Sequence, residues 1–154
     1  MKRRTCLVAA LAAPFAARAH HGWSSFNTDQ PVFIEGRVVS VKWQNPHAEL
    51  IVELPADYKL PAGVATRAVP AQSASIDGKT LLAKAIAPTR KERKWEVELA
   101  PLTRLSAWKV EPIAVGTTVG VLGYTLQDPK GEAVVRAEYL YVGGQVYGLR
   151  SSPA

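Results

Sequence analysis

Val32-Phe33-Ile34-Glu35-Gly36-Arg37-Val38-Val39-Ser40-Val41-Lys42-Trp43-Gln44-Asn45-Pro46-His47-Ala48-Glu49-Leu50-Ile51-Val52-Glu53-Leu54 is the stretch on which the fold turns. Residues 33–43 are rich in β-branched and aromatic side chains, the composition of a strand. Val32, Ile34, Gly36 and Val38 alternate in one phase, and Val39, Val41 and Trp43 alternate in the other. One extra residue produces that change, which predicts a bulge or sharp bend between Gly36 and Val39. A bent first strand shared by two sheets is what a small closed barrel requires. Asn45-Pro46 then signals a turn. In a second strand over residues 47–54, Ala48, Leu50, Val52 and Leu54 should face the core. His47, Glu49, Ile51 and Glu53 should face solvent or a ligand.

Working outward, Trp95, Val97 and Leu99 alternate with Lys94, Glu96 and Glu98 in a third strand. Pro101 opens a short helix carrying Leu102, Leu105 and Trp108, closed off by Pro112. Strands follow at 117–126 and 133–141 around the turn Gln127-Asp128-Pro129-Lys130-Gly131, and a short last strand covers 145–149. This order, three strands, a helix and two or three strands, predicts an all-β chain with one short helix. The expected architecture is a small OB-like five- to six-stranded Greek-key barrel, whose loops joining strands one to two and four to five commonly bind ligands. Residues 60–93 interrupt the pattern as a loop insert crowded with Ala, Pro, Ser and Lys. It ends in Arg90-Lys91-Glu92-Arg93-Lys94, read as solvated loop charge, and Ile76 to Leu82 is expected to form a hairpin or turn.

The beginning of the chain points to export. Lys2, Arg3 and Arg4 precede an apolar run from Cys6 to Ala17 broken by Pro14, and Ala17-Arg18-Ala19 is a small-x-small cleavage site. The run is too short and interrupted for a membrane span. The Arg3-Arg4 pair admits twin-arginine as well as general export. The expected organisation is a cleaved signal at 1–19, a leader at 20–31, a barrel domain at 32–149 and a tail at 150–154. Cleavage lowers the formal charge from +6 to +2, so nothing in the balance calls for nucleic acid. It also removes the only cysteine and the only methionine.

His20-His21-Gly22-Trp23-Ser24-Ser25-Phe26 would then open the exported protein. Together with the run from Gly36 to Trp43-Gln44-Asn45-Pro46-His47, these residues resemble a family of small exported bacterial proteins of unknown function. Its members share a His-His mature start and a Trp-x-Asn-Pro-His turn. The runs Trp95-Glu96-Val97-Glu98 into Leu105 and Gly116-Thr117-Thr118-Val119 are similar to later parts of the same family, and the insert is longer than the resemblance implies. The resemblance implies export and a β-barrel, but no activity.

Chemistry rests on few side chains. The amine and imidazole of a terminal His20 can chelate one metal ion, with His21 or His47 as a further ligand, and nitrogen donors without sulfur favour Cu(II). Trp43, Asn45 and Pro46 form the turn motif. Trp43 is expected at the core or barrel mouth, and Asn45 in an Asx-type turn. His47 admits two roles, a ligand or a turn histidine bonded to a backbone carbonyl. Glu49 and Glu98 are candidate partners behind a ligating histidine, Glu98 otherwise being a solvated or salt-bridged carboxylate. No nucleophile–base set or Gly-x-Ser-x-Gly elbow is present. The expectation is therefore a non-catalytic periplasmic or secreted binding protein, with copper as ligand, partnered by a metal ion or an exported protein and without an integral membrane segment after processing. The alternatives are an OB-type adaptor for a peptide, glycan or partner protein, and an accessory subunit of an exported redox enzyme.

Overall fold

A computed structural model of the chain describes residues 21–154. The expected signal at 1–19 and His20 lie outside the described residues. Strand β1 (Val32–Lys42) runs first along β4 (Thr118–Thr125) and then along β2 (Glu49–Glu53). It changes partner near Arg37, which pairs with both Thr118 and Glu53. The β1–β2 register shifts between Val38 and Ser40, so Val39 is the extra residue of the expected bulge. Gly36 is required there, because a Cβ would run into the backbone carbonyl of Glu53.

β2 pairs antiparallel with β3 (Lys94–Glu98), and β4 with β5 (Val134–Val142). A parallel β3–β5 pairing closes five strands into a mixed barrel. Strand β6 (Gln145–Gly148) adds to β5 through a Gly143-Gly144 turn in which both glycines have positive φ. Ile34, Val38, Leu50, Val52, Trp95, Val97, Val121, Val135 and Leu140 fill the interior. Val41 and Trp43 pack on the same core after the bulge, as the change of phase requires. The helix after β3, labelled α2 (Leu102–Ala107), contributes the buried Leu105. It ends where Lys109 turns left-handed at φ 57°, before Pro112 is reached.

The insert is more ordered than its composition implies. It carries a helix, α1 (Gly78–Lys84), where a hairpin or turn was expected, and Asp77 caps it by accepting from Thr80 N at 3.0 Å. Val64, Leu82 and Ala85 from the insert pack on Phe33, Leu122 and Tyr139, which point out of the barrel. Phe33 and Ile34 are both fully buried for this reason: the insert covers one face of β1 and the barrel core the other. Gly78 makes the close approach possible, since a Cβ there would meet the Tyr139 ring. The C-terminal residues are tied to the insert by Ser73 N to Ser152 O at 2.9 Å and Ser151 N to Gln72 Oε1 at 3.0 Å.

Residues 21–31 follow the barrel surface. Asn27 N donates to Thr125 O, and Gln127 N donates to Ser25 O, each at 2.9 Å. Phe26 is buried against Tyr124 and Val134. No helix among the described residues is long and apolar enough to cross a membrane.

Candidate functional site

The period of β2 sends Leu50 and Val52 inward and Glu49 outward, with His47 two residues earlier on the same side. That outer side was expected to meet solvent or a ligand. His47 and Glu49 are instead buried, at 6% and 8% exposure, and Glu98 is buried at 2%. Removing two carboxylates from water is costly unless cations accompany them. The strand registers supply those cations. Lys42 lies opposite Glu49, Glu49 opposite Glu98, and Glu98 opposite Arg136, so one charged row crosses β1, β2, β3 and β5. Lys42 Nζ is 3.2 Å from Glu49 Oε2, and Arg136 Nη1 is 2.8 Å from Glu98 Oε2.

His47 Nε2 faces the two acids, 3.4 Å from Glu49 Oε1 and 3.8 Å from Glu98 Oε1. A carboxylate beside one ring nitrogen helps to fix the orientation of an imidazole. Glu98 is thus a salt-bridged carboxylate, as one reading held, but it is not solvated.

The turn residues divide by role. Trp43 is half-buried on the core. Pro46 is exposed, and the Asn45-Pro46 bond is cis. Asn45 reaches further than the local Asx turn expected of it: Oδ1 accepts from Leu102 N at 3.1 Å and so caps α2, whose first residue that is. Asn45→Ala should lower stability by about 1 kcal/mol, the usual worth of such a cap. Urea unfolding reads this directly, and no change would show that the cap contributes nothing.

His21 sits apart from the row, with Nε2 3.7 Å from Glu132 Oε2 and its ring edge-on to Phe26 at 6.1 Å. His47, Glu49 and Glu98 are thus gathered, whereas His21 is held against the β4–β5 connection. Among the described residues, no three His, Cys, Asp or Glu side chains are disposed to hold a metal ion.

Residues 8–76 match a family of unknown function, DUF6152. The DUF6152 match spans β1, the Asn-Pro-His turn, β2 and the first half of the insert, so it includes His20, His21 and His47. Glu98 and Arg136 lie beyond it. No curated protein and no solved structure matches the chain.

The sequence reading missed Trp23, Lys42, Arg136, Glu138 and Arg150. Arg136 and Lys42 were legible as outward residues of alternating strands, but their acid partners depend on registers that alternation does not specify. Trp23 lies under two guanidiniums, Arg150 with Cζ 3.6 Å and Arg136 with Cζ 5.0 Å from its ring centroid. Arg150 is held by Glu138, Nε and Nη2 donating to Oε2 at 3.0 and 2.6 Å.

Glu138 occupies a register shift of β5 and is fully buried. Burial pushes its carboxyl above the ordinary value of 4.5, while the bonds from Arg150 pull the other way. The fold therefore holds this proton more tightly than the unfolded chain does. The contribution of Glu138 to stability is fullest below its ordinary value and is lost as pH rises through the higher folded one. Glu138→Gln lacks that loss, so its melting temperature should gain on the wild type as pH rises above the ordinary carboxyl value of 4.5. A difference that moves the other way would contradict the raised value.

Proposed function

We propose that the protein is exported and non-catalytic, and binds one Cu(II) ion. The ligands are the α-amine and imidazole of His20, freed by cleavage after Ala19, and a third nitrogen from His47. The observation that carries this reading is the buried His47, backed by Glu49 and Glu98 at 3.4 and 3.8 Å. Two acids anchored by Lys42 and Arg136 stand beside one ring nitrogen, and a carboxylate in that place is usual behind a ligating imidazole. Reach favours the closure. Trp23 lies over Arg136, the partner of Glu98, and His20 is three positions before Trp23. Three residue steps span at most about 10 Å. With Cys6 and Met1 removed by processing, the exported chain offers nitrogen and oxygen donors alone, which suit Cu(II) better than Cu(I).

The adaptor reading has surface clefts in its favour, one of about 260 Å³ lined by Ile86, Pro88, Trp95, Leu126 and Gln127 at the β4–β5 connection and one of about 370 Å³ lined by Leu54, Pro55, Asp57, Tyr58 and Arg90. The second falls within the usual range for organic ligands, about 300–1,000 Å³.

The test is a Cu(II) titration of protein beginning at His20, of its His47→Ala variant, and of a peptide covering residues 20–29. Any free His-His terminus binds some copper, so the comparison isolates what the fold adds. The protein should bind at least about tenfold more tightly than peptide and variant, the size of effect seen when a ligand or its support is lost. Equal affinity in all three would overturn the reading in favour of an adaptor.

A further inference from the structure

Two buried acids on different parts of the barrel each hold an arginine, and both arginines are offered to the same side chain. Glu98 on β3 holds Arg136, and Glu138 on β5 holds Arg150. Both guanidiniums lie over the indole of Trp23, while Tyr124 and Phe26 meet its edge at 6.3 and 6.4 Å. A guanidinium already fixed by a carboxylate loses little freedom when an aromatic ring settles on it. Trp23 itself remains half-exposed and outside the barrel core. The platform is thus built into the barrel, and the ring belongs to the segment that docks on it.

We propose that Trp23 is a positioning residue that anchors residues 21–27 to the barrel and thereby directs the residue before them toward His47. Arg136 is the link, because it touches Trp23 on one side and Glu98, which faces His47, on the other. Docking of the segment and occupancy of the metal site are then coupled, each strengthening the other by the same factor. The coupling rests on the copper reading, whereas the anchoring rests on the described residues alone.

Amide hydrogen exchange of metal-free protein beginning at His20 tests the anchoring. The N–H groups of Asn27 and Gln127 report docking because they bond across it, to Thr125 O and Ser25 O. In Trp23→Ala both should exchange at least about tenfold faster, while the barrel amides of Val97 and Val121 keep their protection. Trp23→Phe should restore most of the difference, since a ring alone satisfies both arginines. Unchanged exchange at Asn27 and Gln127 in Trp23→Ala would overturn the anchoring.

Copper titration of the same proteins tests the coupling. Trp23→Ala should lose at least about tenfold in Cu(II) affinity, and saturating Cu(II) should slow exchange at Asn27 and Gln127 in the wild type. Faster exchange with unaltered copper affinity would overturn the coupling and leave the metal reading standing. Wild-type affinity no better than that of the 20–29 peptide would overturn the metal reading and the coupling together, with exchange still deciding the anchoring.

Discussion

Protein whose chain begins at His20 is expected to bind Cu(II) about two orders of magnitude more tightly than protein retaining residues upstream of it. The difference arises at one atom. An upstream residue turns the α-amine of His20 into an amide nitrogen, which has no basic lone pair, and the chelate ring between backbone nitrogen and imidazole is lost. The barrel is the same in both forms, so His47, Glu49 and Glu98 contribute equally and cancel from the comparison. Because the ligand atoms bind in their deprotonated states, the affinity of the His20 form should fall as pH is lowered. A titration of the two forms by calorimetry or copper electron paramagnetic resonance decides the matter. Equal affinities would remove the amine from the site. N-terminal sequencing of exported protein supplies the companion result, a start at His20.

The second large effect concerns β4. Gly123 lies where the β4–β5 register shifts, and a Cβ built there would run into the backbone carbonyl of Arg136. The Val135 side chain stands 2.9 Å from the same point, so neither strand has room to yield. Gly123→Ala should therefore lower stability by about 3 kcal/mol or more, at the upper end for overpacking. Gly143→Ala is the control. A Cβ there meets nothing within 4 Å, and the only cost is its positive φ of 59°, about 1 kcal/mol. Urea unfolding of the two variants should separate them clearly. A Gly123→Ala protein as stable as Gly143→Ala would mean that the β4–β5 pairing is looser than its geometry.

Much of the barrel was legible because strand signals are local. The change of phase in β1 marked the bulge, the alternation of β2 and β3 marked their inner faces, and Pro101 marked the start of α2. The parallel β3–β5 closure was legible only through the order of elements, since the residues it joins are far apart in the chain. The insert was misread in part because its apolar residues are sparse among Ala, Ser and Pro. Their partners are Phe33, Leu122 and Tyr139, apolar side chains on the outward phase of their strands. Those outward apolar residues were the available sign that something covers the barrel. The site was harder. His47, Glu49 and Glu98 could be named from spacing, but their burial depends on Lys42 and Arg136, which only register brings alongside.

The row Lys42–Glu49–Glu98–Arg136 has a bearing on how the strands find their alignment. Apolar alternation repeats every two residues, so it rejects a slip of one and accepts a slip of two. If β2 slid by two, Leu50 and Val52 would still point inward, and the core would scarcely register the change. Ile51 would then stand opposite both Lys42 and Glu98, and Glu49 would be carried away from its lysine. An acid buried without its cation costs several kcal/mol, about 3–5 when one partner of such a pair is removed. The charges thus distinguish alignments that hydrophobicity leaves degenerate, and the barrel has a single way to close.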